Sequence, residues 1–242
     1  QHAKIVRDFY HSLSDRFVEI IKLLHISDKE MKRRMVFKNI DINLESVNNN
    51  RSMVVYVAHF CNWEWLSSES LWIENHKQRL VLGQIYRPLK NKWFDNFFLK
   101  LRDRFNTVSY PKSNVVRHLI KANQDGKITT TGFIADQHPS INDQDCVIRF
   151  LNHDTAFITG PEVLAKKLDM DVMMFYVTKI KRGHYQCELR LITRTPKELP
   201  QHEITKRYAR LLEQRINEQP EQWLWTHKRW KHKVNPSTPV IY

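Results

Sequence analysis

Glycine is scarce in this chain, with five residues in 242. No G-x-G-x-x-G or Walker-type run occurs, so no glycine loop is present to cradle a nucleotide phosphate. The three cysteines, Cys61, Cys146 and Cys187, are isolated and odd in number. That argues against a disulfide scaffold and for a reducing compartment. No Cys/His grouping has the spacing of a zinc site, and no metal is expected. No run approaches the ~18 apolar residues needed to span a bilayer, and no secretory signal pattern opens the chain.

What is present is enough for a large core. Apolar residues make up 41% of the chain and aromatics 11%, which suits one large α/β domain or two small ones. The formal charge is +13, from 39 Lys+Arg against 26 Asp+Glu. A field of that sign favours polyanions: nucleic acid, an anionic membrane face or an acidic carrier protein. The basic residues are dispersed, with one denser segment at 228–233.

The first forty residues read as helical, with Ile5, Phe9, Leu13, Phe17, Ile20, Ile21 and Leu24 at three- and four-residue steps. Ser27-Asp28-Lys29-Glu30 reads as a capping box opening a second helix that carries Lys32, Arg33, Arg34 and Lys38. Such a pair is either ordinary packing or a basic membrane-surface element. From residue 52 onward strands (52–58, 80–86, 127–135, 145–151, 172–180, 184–193) alternate with helices (63–75, 91–105, 113–123, 159–168, 202–218). The alternation predicts an α/β fold, a mainly parallel central sheet with helices on both faces. Lys181-Arg182-Gly183-His184 predicts a hairpin and hence a mixed edge. The expected division is an N-terminal helical pair, 1–45, and an α/β domain, 46–242, in one compact unit.

In such sheets chemistry sits at the C-terminal ends of strands. His59-Phe60-Cys61-Asn62-Trp63-Glu64 follows the apolar run 52–58. On one helix His59 and Glu64 would lie about 140° apart. With His59 in the turn and Glu64 in the first helical turn they can meet, as a base and its orienter. The plain alternative is a buried histidine satisfied by an acid. Arg87, before Pro88, is held in an extended or turn geometry at the end of the next strand, where its planar fork suits a phosphate or an oxyanion, unless it is a surface arginine paired with a nearby acid. Asp136 ends another strand, to orient a base, position a hydroxyl or cap a turn. Thr159-Gly160-Pro161 opens a helix, which either packs simply or offers free amides to an anionic or carbonyl group. Three tryptophans among the basic residues of 220–231 read as core packing, a stacking platform or a membrane-interface belt.

Five segments together resemble the lipid A biosynthesis acyltransferases, the late lauroyl/myristoyl type, within the wider H-x4-D/E glycerol-phosphate-type acyltransferases. They are His-Phe-Cys-Asn-Trp-Glu at 59–64, Tyr-Arg-Pro-Leu at 86–89, Ala-Asp-Gln at 135–137, Thr-Gly-Pro-x-x-Leu-Ala at 159–165, and Pro-Glu-Gln-Trp-Leu-Trp-x-His-x-Arg-Trp-Lys at 220–231. Their order and spacing match along nearly the whole chain. Two departures stand out. Gln137-His138-Pro139-Ser140 replaces a stretch that often holds a second acid or a glycine. The N-terminal membrane helix usual in the family is also lacking, which predicts a chain from which it is missing or a peripheral relative.

The resemblance implies a glycerol-3-phosphate acyltransferase-like fold. It implies acyl transfer from a thioester, on acyl carrier protein or coenzyme A, to a hydroxyl of a lipid A precursor or another glycolipid or aminolipid. His59 and Glu64 would be the catalytic pair. Arg87, Asn62, Asp136, Thr159 and Gly160 would bind substrate or the oxyanion. Lys32, Arg33, Arg34, Lys228 and Arg229 would face the membrane or the carrier protein. No cofactor, no nucleic acid and no acyl-cysteine on Cys61 are expected. A monomer at the cytoplasmic face of a Gram-negative inner membrane is. Two readings compete: a basic nucleic-acid-binding module, which leaves His59, Glu64 and Arg87 without a role, and a catalytically inactive scaffold of the same fold, against which the intact His59/Glu64 pair argues.

Overall fold

The run Met53–Val57 (β2) is buried at every position, as a strand in the middle of a covered sheet must be. The computed structural model describes residues 2–73, 79–140 and 143–242. In it, β2 is the fourth of seven strands. Those strands are β1 (Met35–Lys38), β2, β3 (Leu80–Tyr86), β4 (Val108–Pro111), β5 (Ile128–Ile134), β8 (Asp171–Lys181) and β9 (His184–Thr193), in the order β1-β9-β8-β2-β5-β3-β4. Every pairing is parallel except β8 with β9, whose hairpin turns at Gly183. That glycine has φ +67°, and a Cβ there would lie 2.6 Å from Arg34 Nη1. A second small sheet joins β10 (Val240–Ile241), β6 (Val147–Phe150) and β7 (His153–Ala156).

Alternation along β2 assigns the layers. Tyr56 stacks on Tyr208 of α7 (Glu203–Glu218) with ring centroids 4.4 Å apart, and α6 (Gly160–Leu168) also packs against β2. Val55 and Val57 point the other way, into a cavity roofed by residues of the 3-10 helix Trp63–Leu71 and of α4 (Lys92–Asp103). Asn91 caps α4, accepting from the N–H groups of Trp93 and Phe94. Helix α5 (Val115–Gln124) packs on β5 and β4.

The mainly parallel sheet with helices on both faces is as expected, while several details differ. The basic stretch after Ser27 is helical only as far as Arg34 (α2, Asp28–Arg34); 35–38 is β1, an edge strand paired to β9. Helix α3 (Asp41–Asn48) crosses the expected boundary at 45/46, so the N-terminal part is woven into the sheet. The strand near 145–151 belongs to the small sheet. The helix expected over 63–75 is a 3-10 helix ending at Leu71, and residues 74 and 75 lie outside the described residues.

Helix α1 (His2–Leu23) has inverted polarity. Ser12, Arg16 and Glu19 are buried with Phe9 and Leu23, whereas Val6, Tyr10, Phe17, Val18 and Ile21 are exposed. The buried acid explains this choice of face. Glu19 accepts from Asn62 Nδ2 at 2.7 Å and from Tyr185 Oη at 2.9 Å. The Arg16 guanidinium lies over the Trp63 ring, 5.4 Å from its centroid.

Candidate active site

His59 stands just past β2, and Asp136 just past the adjacent strand β5. The two strands run parallel in register, Val57 beside Ile134, so their C-terminal ends bring together residues 77 positions apart. One carboxylate grips His59 twice: Asp136 Oδ1 lies 2.8 Å from the ring Nδ1, and Oδ2 accepts the backbone N–H of His59 at 3.0 Å. Oδ2 also accepts from the Trp223 indole at 2.9 Å. Burial alone would raise the Asp136 pKa, but the charge of His59 and these hydrogen bonds outweigh it and hold the group below its ordinary value. An ionised carboxylate can only accept here, so Nδ1 carries the proton and, in the neutral imidazole, Nε2 does not. Gln137 Nε2 sits 3.4 Å from Nε2, and Trp63 meets the imidazole edge-on, with centroids 4.9 Å apart.

The C-terminal motif closes this arrangement. Phe60 bridges to Trp223, Leu224 N–H donates to the His59 carbonyl at 3.1 Å, and Cys61 N–H donates to the Gln222 carbonyl at 3.1 Å. The strap forces Cys61 to φ +52°, a left-handed conformation natural to glycine. The Cys61 side chain is fully buried and burial pushes its thiol up to about 12, so it has neither the access nor the thiolate of a nucleophile. Of the tryptophans, Trp223 is buried against Asp136 and Trp230 donates to Thr155 at 2.8 Å. Packing thus accounts for both.

A cavity of about 520 Å³ opens at His59. Its walls are mostly apolar, with Val55, Val57, Leu82, Ile134 and Phe175 among them, while Arg87 and Lys112 stand at the strand-end side. Arg87 is exposed and, among the described residues, its guanidinium makes no hydrogen bond or ion pair. Among the described residues no three His, Cys, Asp or Glu side chains are grouped to hold a metal ion.

Five of the expected site residues have other partners or places in the fold. Glu64 lines the cavity but does not hold His59. Its carboxylate is taken by a bidentate pair with Arg102 of α4, at 2.9 and 2.8 Å, and by the Trp63 indole at 3.2 Å. A fork of two parallel donors is a better partner for a carboxylate than one ring nitrogen. Asn62 is buried and spent on Glu19. Thr159 donates to Asp145 at 3.4 Å at the start of α6, and neither it nor Gly160 lines the cavity. Arg229 is not on a rim: it is 2% exposed, with its guanidinium 5.0 Å from the Phe157 ring centroid, and burial lowers its pKa to about 10. Lys228 is exposed. Arg33 and Arg34 both pair with Glu30, and Arg34 also donates to the Gly183 carbonyl.

Asp136, Trp223 and Arg102 carry more of the site than the sequence reading assigned to them. Asp136 had a signal, an acid at the end of an apolar strand; Arg102 had none beyond being a basic residue on an amphipathic helix. A family model described as "Bacterial lipid A biosynthesis acyltransferase" matches residues 1–232. No curated protein matches the chain significantly.

Proposed function

Because the chain belongs to the bacterial lipid A biosynthesis acyltransferases, we propose that it moves a fatty acyl group from a thioester, on acyl carrier protein or coenzyme A, to a hydroxyl of a lipid A precursor. The observation that carries this reading is the oriented base at the mouth of an apolar cavity: Nδ1 of His59 is held by Asp136, while Nε2 is left able to accept a proton. His59 takes the proton of the acceptor hydroxyl as its oxygen attacks the thioester carbonyl, and Asp136 stabilises the resulting imidazolium. General-base help of this kind is worth roughly 10²–10⁴-fold. Collapse of the tetrahedral intermediate expels the thiolate, which recovers the proton. The acyl chain lies in the cavity between the sheet and α4. Arg87 binds the oxyanion or an acceptor phosphate, a contact worth about 3 kcal/mol where it meets developing charge. Glu64 acts indirectly in this reading, by fixing α4 through Arg102.

The acceptor is a lipid, and no described helix is long and apolar enough to cross a membrane. The outward apolar face of α1 and the exposed Trp93 and Phe94 of α4 support docking on the inner-membrane surface. The charge of +13 complements both an anionic leaflet and an acidic carrier. The test is mass spectrometry of lipids from cells with the gene, without it, and with only the His59→Ala form. Loss of one acyl chain from lipid A in the latter two supports the reading. An unchanged lipid A profile would overturn it.

A further inference from the structure

The cavity ends in polar groups that the chemistry above does not use. Register sets out its levels. Nearest His59 are Val57 and Ile134; next come Val55 and Gly132; then Thr130, paired with Leu82 of β3 and Met53 of β2. From the level of Val57 to that of Met53 is four residues, ~13 Å at the rise of a strand. At the far level Asn43 of α3 donates to Glu69 Oε1 at 2.8 Å, and Thr130 Oγ1 lies 3.4 Å from Asn43 Oδ1. Glu69 is 3% exposed yet lines the cavity. Among the described residues its second oxygen has no side-chain partner. Burial pushes this carboxyl up to about 7.

Resting on the acyl-slot reading above, we propose that Glu69 is a specificity-determining residue: its carboxyl, braced by Asn43 and Thr130, forms the floor of the slot and sets the longest acyl chain accepted. A chain ending short of the floor leaves the free oxygen to water. A longer chain presses its methyl end onto that oxygen, removing water and returning no hydrogen bond, a loss of roughly tenfold or more in affinity. The slot is open above the floor because residue 132 is glycine. A Cβ built there meets Val57 Cγ2 at 3.6 Å and the Gly83 carbonyl at 3.7 Å. Those are ordinary contacts, so a side chain fits and projects into the slot.

The experiment is calorimetric titration of the full chain with saturated acyl-coenzyme A thioesters from octanoyl to stearoyl. Affinity should rise with length and then break. Gly132→Val should move the break to shorter chains. Glu69→Leu, which keeps the volume and removes the polar oxygen, should restore the chains beyond the break by roughly tenfold. Glu69→Gln should leave the break in place. If Glu69→Leu fails to melt cooperatively, Glu69→Met makes the same test with a more flexible chain. A break that Gly132→Val moves and neither apolar replacement of Glu69 moves overturns the floor and leaves the acyl slot standing. Affinities that ignore both chain length and Gly132→Val overturn the slot and the floor together.

Discussion

Replacing Asp136 with asparagine tests the site by moving one proton. Oδ2 accepts from two N–H groups, the His59 backbone at 3.0 Å and the Trp223 indole at 2.9 Å. Neither donor can change role, so the amide oxygen of Asp136→Asn must face them. Its NH₂ then faces Nδ1, which lies 2.8 Å from the other oxygen in the parent. Nδ1 must accept, the ring proton moves to Nε2, and the base is blocked. All three contacts survive in form, so stability should fall little. The rate should lose most of the general-base contribution, roughly 10²–10⁴-fold, or about 3–5 kcal/mol of barrier at 1.36 kcal/mol per tenfold. The assay is kcat/KM for acyl transfer, with thermal unfolding as the control for folding. The native Asp136 pKa lies below its ordinary value. Its ionised form therefore stabilises the fold above the unfolded-state value, and that stabilisation is lost as pH falls through the folded one. The variant should lack this acid-limb dependence. A folded Asp136→Asn enzyme with kcat/KM within about tenfold of the parent would refute the tautomer argument.

Three further outcomes follow from the same contacts. Glu64→Gln removes the charge that pairs with Arg102, so it should destabilise the protein by roughly 1–3 kcal/mol while costing less activity than Asp136→Asn; equal losses in activity, read from kcat, would return Glu64 to the reacting atoms. Arg87→Lys should keep most of the defect of Arg87→Ala, because a point charge cannot replace a planar fork; full rescue by lysine in kcat/KM would reduce Arg87 to a general positive charge. Phe17→Ser with Ile21→Ser should weaken co-sedimentation with anionic-lipid vesicles by roughly tenfold or more, and the parent should retain much binding at high salt, where surface electrostatics is screened; binding abolished by salt and indifferent to those changes would place the contact on the basic residues.

The central strands were legible because burial on both faces demands continuous β-branched and apolar residues, as in 53–57. Strands β1 and β4 were not: each has four residues at an edge and little room to show a pattern. The segment 63–71 reads as helical, and its apolar spacing does not distinguish an α-helix from the 3-10 helix that forms. Within the site, His59 and Arg87 can be placed by their positions after strands, but which of the two candidate acids partners His59 cannot. The nearby acid, Glu64, was the natural candidate, and only strand order puts β5 beside β2 and so brings in Asp136. Inversion of α1 was hidden for the same reason. Its apolar repeat is real, but which face turns inward was decided by Asn62 and Tyr185, both distant in sequence.

The double grip of Asp136 also sets when the arrangement around His59 can be completed during synthesis. The three positions joined by that carboxylate are 59, 136 and 223, so the last participant is made 87 residues after Asp136 itself. Until Trp223 docks and the strap at 222–224 pins the His59 loop, Asp136 lacks one of its three donors and Cys61 has no reason to hold a left-handed backbone. A ribosome-bound chain can complete β2, β5 and most of the central sheet and still lack the contact that closes the Asp136 network.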